Sequence, residues 1–333
     1  MIPGTAMTRL LTFTPSSTDG CAFYRAHGVL ARVPGIHISQ GNTVSWSSFS
    51  NADITFMQRP YTRQHVSVAK MAKDHTPLWL DYDDLLTEVP SSNPAYFTYC
   101  SSEIQESIHT LLNLADAISV STQALGMELA KLTDKPIWHI PNAYNDYTMP
   151  KEVNVSKNEV PTVLWRGTSS HQGDLFVYNE QLAEAIERMP DVRFVFAGYI
   201  PWMLPKNYDN VSVMPPTDLM QYLKQVDQLN PDVTLVPLED SVFNRCKSNI
   251  AELETARSSS VVVGPSFIDW VQIENIVDYD ISGSIYEALN IALWQSTTIP
   301  EYTKRSRWSD IMADRALSVV NQDRTALIKE LMS

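Results

Sequence analysis

Short apolar runs of strand length alternate with longer amphipathic stretches along most of this chain of 333 residues. The amino-terminal part of the pattern predicts strands at 9–14, 52–58, 77–83, 117–121 and 136–141, and helices at 22–33, 63–74, 103–115 and 122–133. Strands that are separated by helices of this size pair in parallel, and the connecting helices cover both faces of the sheet. The pattern therefore predicts an α/β fold.

A polar stretch at 142–161 contains two prolines, shows no hydrophobic period and is predicted to be a linker. The alternation then restarts, with predicted strands at 162–167, 192–198, 232–238 and 260–266, helices at 175–189, 218–226 and 248–257, and a helical end. A chain of this length suits two hydrophobic cores better than one. We therefore expect two doubly wound, Rossmann-like domains with a cleft between them, at 1–145 and 158–311, with a final helix at about 312–333 packing back on the first domain.

The composition is that of a globular protein, with 44% hydrophobic and 19% charged residues. The three cysteines are far apart in sequence, which favours free thiols in a reducing compartment. The first residues lack the basic and apolar regions of a signal peptide, and no apolar run approaches the roughly 18–20 residues that span a bilayer. We expect a cytoplasmic protein (in the host cytoplasm if the source is viral) without stable membrane association.

The charge is unevenly distributed along the chain. The net charge of −13 argues against a general nucleic-acid coat, but residues 1–73 carry seven basic and two acidic side chains, a local charge of +5. Two interpretations remain open at this stage. The basic residues cluster by chance on a solvated surface, or one face of the first domain meets an anionic partner such as DNA.

Polar residues follow the predicted strand at 232–238. Asn244, Lys247 and Ser248 lie at or near the start of the next helix, and Glu254 lies within it. In open α/β sheets, ligands bind beyond the carboxyl ends of the strands, and a helix start together with a lysine suits a phosphate group. Glu254 has the chemistry to accept both hydroxyls of a ribose. On spacing alone, an ordinary capped helix with a surface Lys–Glu pair explains the same residues.

The run FNRCKSNIAELETARSSSVVVGPS (243–266) resembles the carboxyl-terminal motif of family-4-type retaining glycosyltransferases of the two-domain GT-B fold. The resemblance implies that Glu254 holds the ribose of a nucleotide sugar. It also marks two departures: Cys246 stands where the family often has an acid that bonds sugar hydroxyls, and serines 258–260 stand where it has a glycine turn. Asp240 or backbone groups near Asn244 are candidates for holding the sugar.

The pattern W-R-G-x-x-x-H-Q-x-D-L at 165–175 resembles the same family, in particular its virus-encoded members. The resemblance implies that Arg166 clamps the donor diphosphate and that Gly167 and His171 line the donor site. Guanidinium groups bind phosphate in a bidentate manner, whereas histidine adds full charge only when it is protonated.

The amino-terminal half carries further family-like elements at the ends of predicted strands. Gly20 lies in a loop after the first strand and is expected near the donor. The remaining elements are expected to line the cleft on the acceptor side: Tyr24, Arg25, Arg59, the D-x-D-D acids Asp81, Asp83 and Asp84, and Asn142 after Pro141. Three close carboxylates bind a divalent metal in principle, but we expect them to line the cleft or fix a loop, with no metal ion.

Together these features predict an enzyme, a retaining hexosyl- or pentosyltransferase that uses a nucleotide-diphosphate sugar, with UDP-sugar favoured. Arg166 and Lys247 are the expected catalytic residues, because they stabilise negative charge that develops on the leaving diphosphate. No cofactor is expected beyond the donor, and retention by front-face attack needs no carboxylate nucleophile. The favoured acceptor is 5-hydroxymethylpyrimidine in phage DNA, turned out of the base stack. The alternatives are a surface-glycan or polysaccharide acceptor, and a nucleotide-sugar-binding protein without activity.

Overall fold

Two parallel six-stranded sheets organise the chain in a computed structural model that describes residues 7–15, 19–40, 46–199 and 208–333. The first six residues and part of the predicted loop before Gly20 (16–18) lie outside the described residues. Every pair of neighbouring strands runs parallel within the described parts, and helices cover the sheets. The predicted α/β fold with two doubly wound sheets is confirmed.

The amino-terminal sheet has the strand order β2-β1-β3-β4-β5-β6. Its strands are β1 (Thr8–Phe13), β2 (Ile36–Gln40), β3 (Ile54–Gln58), β4 (Leu78–Tyr82), β5 (Ala117–Val120) and β6 (Ile137–His139). The helices of this half are α1 (Gly20–Arg25), α2 (His27–Leu30), α3 (Trp46–Ser50), α4 (Arg63–Lys73), α5 (Tyr96–Tyr99), α6 (Ser102–Leu114) and α7 (Gln123–Leu129).

The carboxyl-terminal sheet has the order β12-β11-β10-β7-β8-β9. Its strands are β7 (Thr162–Gly167), β8 (Arg193–Gly198), β9 (Val211–Met214), β10 (Val233–Leu235), β11 (Val261–Val263) and β12 (Ile276–Val277). The helices are α8 (Gln172–Val177), α9 (Asn179–Arg188), α10 (Leu219–Leu229), α11 (Val242–Arg245), α12 (Ile250–Thr255), α13 (Tyr279–Ser282), α14 (Ile285–Thr298), α15 (Glu301–Arg315) and α16 (Leu317–Leu331).

The sequence pattern missed β2, β9 and β12, which lie at the edges of the two sheets. Edge strands are covered less completely, so their residues lack the continuous apolar run of a buried parallel strand. The predicted helix at 22–33 is also divided, because α1 and α2 meet at Ala26. Gly28 fits at this junction since a Cβ there would lie 2.2 Å from the carbonyl oxygen of Phe23.

Helix α16 returns to the amino-terminal sheet. Leu317, Val320 and Leu327 are buried in one cluster with Leu10 and Trp79. The chain crosses back where Tyr144 pairs with the segment before α16: its amide donates to the Arg315 carbonyl and its carbonyl accepts from the Leu317 amide, each at 2.8 Å. Residues at both ends of the sequence thus share the first core.

The segment after β10 is anchored in the amino-terminal core. Phe243 and Cys246 are 5% and 1% exposed and belong to the hydrophobic cluster that contains Val120 and Leu125. The Thr122 hydroxyl donates to the Cys246 carbonyl at 2.9 Å. Close packing extends along this interface, because a Cβ on Gly173 would lie 2.6 Å from the Ser92 side chain. The two sheets are therefore joined by a buried interface.

Among the helices of the described residues, none has the length and apolar character needed to cross a bilayer.

The Phe243→Ala substitution tests the interdomain anchor. We expect it to lower the free energy of unfolding by about 3–5 kcal/mol, because a buried aromatic ring leaves a cavity. Urea unfolding followed by circular dichroism measures the change. The matched control is Val242→Ala, because Val242 is next to Phe243 in sequence and its side chain is exposed. An equal loss of unfolding free energy in both variants would contradict the anchoring role of Phe243.

Candidate functional site

A cleft of about 530 Å³ lies between the domains at the carboxyl ends of the strands. Most of the residues that the sequence singled out line it: Gly20, Tyr24, Arg59, Asp83, Asp84, Asn142, Arg166, Gly167, His171, Lys247, Ser248 and Glu254. A larger groove of about 960 Å³ lies at the opposite end of the carboxyl-terminal sheet, beside Pro161 and Arg193, and contains none of these residues. The chemistry-bearing side chains therefore converge on the interdomain cleft.

The Glu254 carboxylate receives hydrogen bonds from both domains. Tyr24 on α1 donates its hydroxyl to Oε1 at 3.2 Å, and Tyr222 on α10 donates to Oε2 at 2.9 Å. Burial, followed by the nearby Glu254 charge, raises the pKa of both tyrosines well above the ordinary value, so both remain donors. The carboxylate thus lies in the cleft and is already bonded.

Arg166 lies at the end of β7, and its Nε is 2.9 Å from Glu254 Oε2. Both atoms Nε and Nη2 are buried, and Nη2 has no hydrogen-bond partner among the described residues. Burial acts to lower the pKa of Arg166, but the Glu254 charge raises it above the ordinary value, so the guanidinium stays charged. Arg166 is therefore a largely buried cation that is paired with Glu254 and has an unpartnered donor at Nη2.

Lys247 faces Asp84 across the cleft, and Arg59 pairs with Asp83 and Asp84 within the amino-terminal domain. Lys247 Nζ lies 3.5 Å from Asp84 Oδ1, and Arg59 contacts Asp83 at 2.6 Å and Asp84 at 2.9 Å. Burial alone raises the pKa of Asp84, but Lys247 and Arg59 together hold it below its ordinary value. Both acids are paired with cations, and the described residues contain no His/Cys/Asp/Glu group that could hold a metal ion.

His171 follows β7 and bonds Asp174 through Nδ1 at 3.0 Å. Burial lowers the pKa of His171, the Asp174 bond opposes this, and the charges of Lys247 and Arg166 lower it further. A neutral imidazole that donates from Nδ1 presents an acceptor at Nε2. In the free protein, the remaining nitrogen of His171, Nε2, is therefore an acceptor. It becomes a donor to phosphate only when it is protonated.

Ser248 and Asn142 connect the domains through a hydrogen bond of 2.8 Å from Asn142 Nδ2 to Ser248 Oγ. Ser248 lies just before α12, whose first helical residue is Ile250, so the predicted helix start at Ser248 is displaced by two residues. Gly167 is required by packing, since a Cβ there would meet the Trp165 ring at 2.8 Å. At Gly20, by contrast, a Cβ would meet open space.

Three predicted site residues do not line the cleft. Arg25 and Asp81 form a buried ion pair at 2.7 Å, and Arg25 also donates to the Ile140 carbonyl at 2.6 Å. Asn244 is buried, and its amide donates to Asp174 at 2.7 Å and to the Glu239 carbonyl at 2.9 Å. Buried polar groups need partners, and these side chains use theirs to hold strand ends and loops beside the cleft.

The two departures from the family motif have structural explanations. Cys246 points into the amino-terminal core, so its side chain does not reach the cleft. Ser259 adopts the left-handed conformation with φ of 49°, the geometry that favours glycine at this turn. Asp240, one candidate for holding the sugar, forms a surface pair with Arg245 at 2.6 Å and is absent from the cleft lining.

Two functional-looking residues escaped the sequence analysis. Tyr222 lies inside the predicted helix at 218–226, where no motif distinguishes it from a packing residue. Asp174 is buried and bonds His171, Asn244 and the Glu239 amide, thereby fixing the loops after β7 and β10. The W-R-G-x-x-x-H-Q-x-D-L pattern contains Asp174 and was the available signal for it.

The basic segment at 1–73 is largely neutralised by ion pairs. The pairs are Arg9–Asp53, Arg25–Asp81, Arg59 with Asp83 and Asp84, Arg63–Glu103 and Lys73–Asp116. Arg32 lies over the ring of Tyr147. Because most of these charges have carboxylate partners, the local excess of +5 is not concentrated on one free cationic face.

A nucleotide diphosphate is expected to raise the pKa of His171, because negative charge favours the imidazolium form. In the free protein, the pKa of His171 should lie below the ordinary histidine value of about 6.5, and saturating UDP should shift its midpoint upward. NMR titration of the imidazole signal, assigned with His171→Gln, measures both midpoints. His109, which lies on α6 away from the cleft lining, is the internal control; equal shifts at both histidines would contradict the placement.

No protein-family model matches the sequence, and no curated protein matches it. Solved structures do. A glycosyltransferase from Rickettsia africae shares 12% identity at a TM-score of 0.63, over 99% of this chain and 100% of that one. The catalytic domain of starch synthase IV from Arabidopsis thaliana, bound to ADP and acarbose, shares 9% at 0.61, over 98% and 100%. The pneumococcal O-GlcNAc transferase GtfA, in complex with UDP and GlcNAc, shares 13% at 0.58, over 84% and 57%. The chain therefore has the GT-B fold of these glycosyltransferases.

Proposed function

We propose that this protein is a glycosyltransferase that moves a sugar from a nucleotide-diphosphate donor to a hydroxyl acceptor in the interdomain cleft. The observation that carries the proposal is Arg166, a charged, largely buried guanidinium whose Nε is paired with Glu254 and whose Nη2 has no hydrogen-bond partner among the described residues. A buried cation with an unpartnered donor suits an anionic ligand, and guanidinium geometry matches phosphate oxygens. The fold supports the same proposal, because the structures that share it include proteins bound to UDP and to ADP.

Each part of the donor has a matching group in the cleft. Arg166 and Lys247 would bind the diphosphate and stabilise the charge that develops on it as the anomeric C–O bond breaks. Glu254 would bind the ribose, whose hydroxyls then compete with Tyr24 and Tyr222 for the two carboxylate oxygens. We favour UDP over other nucleotides because GtfA, a protein of this fold, has been captured with it.

We propose transfer with retention of anomeric configuration, as the family-4-like motifs imply. The cleft carboxylates Asp83, Asp84 and Glu254 each contact a cation, which makes them poor nucleophiles. Front-face attack, in which the leaving phosphate takes the acceptor proton, requires no protein nucleophile. A cytoplasmic location is part of the proposal, since the three cysteines are free and such thiols suit a reducing compartment.

The experiment that tests the function is incubation of the protein with radiolabelled UDP-sugars and a panel of acceptors. We expect transfer by the wild type and a loss of about 10²–10³ in kcat for Arg166→Ala, the loss typical of removing a transition-state charge partner. Arg245→Ala removes an arginine of the same segment that is exposed and paired with Asp240, and should retain activity. Nucleotide binding without transfer to any acceptor would instead support a non-catalytic binding protein.

The acceptor panel separates the two classes that the sequence favoured. The virus-like W-R-G motif supports 5-hydroxymethylpyrimidine DNA, whereas the paired basic residues of the first domain favour an uncharged glycan. Hydroxymethylcytosine duplexes are compared with unmodified duplexes and with oligosaccharides. Label on hydroxymethylated DNA alone supports the DNA acceptor, and label on the glycan alone rejects it. The anomeric proton coupling of the product, measured by NMR, tests retention.

A further inference from the structure

We propose that donor binding exchanges the partner of Lys247. The ammonium group of Lys247 leaves Asp84 and pairs with the diphosphate. The freed oxygen of Asp84 then accepts a hydrogen bond from a hydroxyl of the transferred sugar. Asp84 thus becomes a residue of the amino-terminal domain that recognises the donor sugar. This inference rests on the proposed function and assigns it a sugar-binding carboxylate.

The Lys247–Asp84 pair is weak enough to exchange. Its separation of 3.5 Å exceeds the roughly 2.7–2.9 Å of a strong charge-assisted hydrogen bond. The two side chains are 18% and 25% exposed, so water screens their attraction, as in other partly exposed pairs. A doubly charged diphosphate offers Lys247 a stronger partner at the same place.

Asp84 stays in position when Lys247 leaves. Its Oδ2 accepts from Arg59 Nη2 at 2.9 Å, and Arg59 Nε donates to Asp83 Oδ1 at 2.8 Å. Arg59 is itself fixed, in the left-handed conformation with φ of 47°, and its amide donates to the Asp81 carbonyl at 2.7 Å. Only Oδ1, the oxygen that faces Lys247, is therefore released by the exchange.

Charge balance in the cleft requires such a release. Three cations face four carboxylates in the described lining: Arg59, Arg166 and Lys247 against Asp19, Asp83, Asp84 and Glu254. A diphosphate that entered without any rearrangement would lie beside all four carboxylates, and repulsion between like charges would oppose its binding. Lys247 has the longest of these ion-pair contacts, so it is the cation that moves at least cost.

The freed oxygen lies within reach of the sugar. A phosphate oxygen at about 2.8 Å from Lys247 Nζ lies at most about 6 Å from Asp84 Oδ1, given the present pair distance of 3.5 Å. Sugar hydroxyls adjacent to the anomeric carbon lie at similar distances from the phosphate to which the sugar is attached. A hydroxyl that donates to Oδ1 replaces the lost ammonium and leaves no partly buried acceptor unpaired.

The experiment compares Asp84→Ala and Asp84→Asn with the wild type by calorimetric binding of UDP and of pyrophosphate. Both substitutions free Lys247 in advance, so we expect Kd for both probes to fall about three- to tenfold. Catalysis moves in the opposite direction. The kcat for transfer from the UDP-sugar should fall at least tenfold in Asp84→Ala and less in Asp84→Asn, whose amide oxygen still accepts a hydrogen bond.

Two controls give the test its specificity. Asp83→Asn removes a carboxylate that contacts Arg59, whereas the ion pair of Lys247 is with Asp84, so this substitution should not tighten UDP binding. Adding Lys247→Ala to Asp84→Asn should abolish the tightening, because the gain depends on the freed ammonium. Melting curves first establish that each variant is folded. If Asp84→Ala or Asp84→Asn does not fold, Asp84→Ser is measured in its place.

The outcomes separate the exchange from the function on which it rests. Unchanged or weaker binding of UDP and pyrophosphate by folded Asp84 variants overturns the exchange and leaves transferase activity standing. Equal tightening in Asp83→Asn also overturns it, since bulk charge then explains the effect. A wild type that binds neither probe and transfers no sugar overturns the proposed function and the exchange together.

Discussion

The buried contact of the segment after β10 with the amino-terminal core is the constraint on which the cleft depends. Phe243 and Cys246 fill that core, and Thr122 bonds the Cys246 carbonyl. Burial of an aromatic ring contributes about 1.5–3 kcal/mol, which outweighs any single exposed ion pair of the cleft. Lys247 and Ser248 follow Cys246 directly in sequence, so the buried contact places them beside Asp84 and Asn142 of the other domain. One packing contact therefore determines which charges face each other.

The cations of the resulting cleft are paired with carboxylates before any ligand enters. Glu254 is bonded by Arg166, Tyr24 and Tyr222, and Asp84 is paired with Arg59 and Lys247. Buried charges remain charged only when they are paired, so an unliganded donor site needs internal partners. An anionic ligand competes with these carboxylates for the cations, so its binding rearranges existing hydrogen bonds and ion pairs. Specificity then depends on how well the ligand replaces each bond that it breaks.

A second buried network supports the amino-terminal wall of this cleft. Arg25 bonds Asp81 and the Ile140 carbonyl, the Ser119 hydroxyl donates to Asp81, and the Trp79 indole donates to Ser119 at 2.8 Å. These residues join the ends of β4, β5 and β6 to α1, directly beneath Tyr24 and the pair Asp83 and Asp84. Removing one partner of a buried ion pair typically costs several kcal/mol, so this network is structural even though its residues resemble site residues in sequence.

The sequence by itself determined the two sheets, because continuous apolar runs between amphipathic helices have few alternatives to buried parallel strands. It also selected most of the residues that line the cleft, because parallel strands bring their carboxyl ends to one edge. It missed edge strands such as β2 and β9, whose half-covered faces weaken the pattern. Only the tertiary structure decided that Arg25, Asp81 and Asn244 are buried supports, that Tyr222 bonds Glu254, and that Cys246 faces a core. The physical reason is that strand order and spacing place a residue near an edge, whereas contacts between distant segments determine which partner its side chain meets.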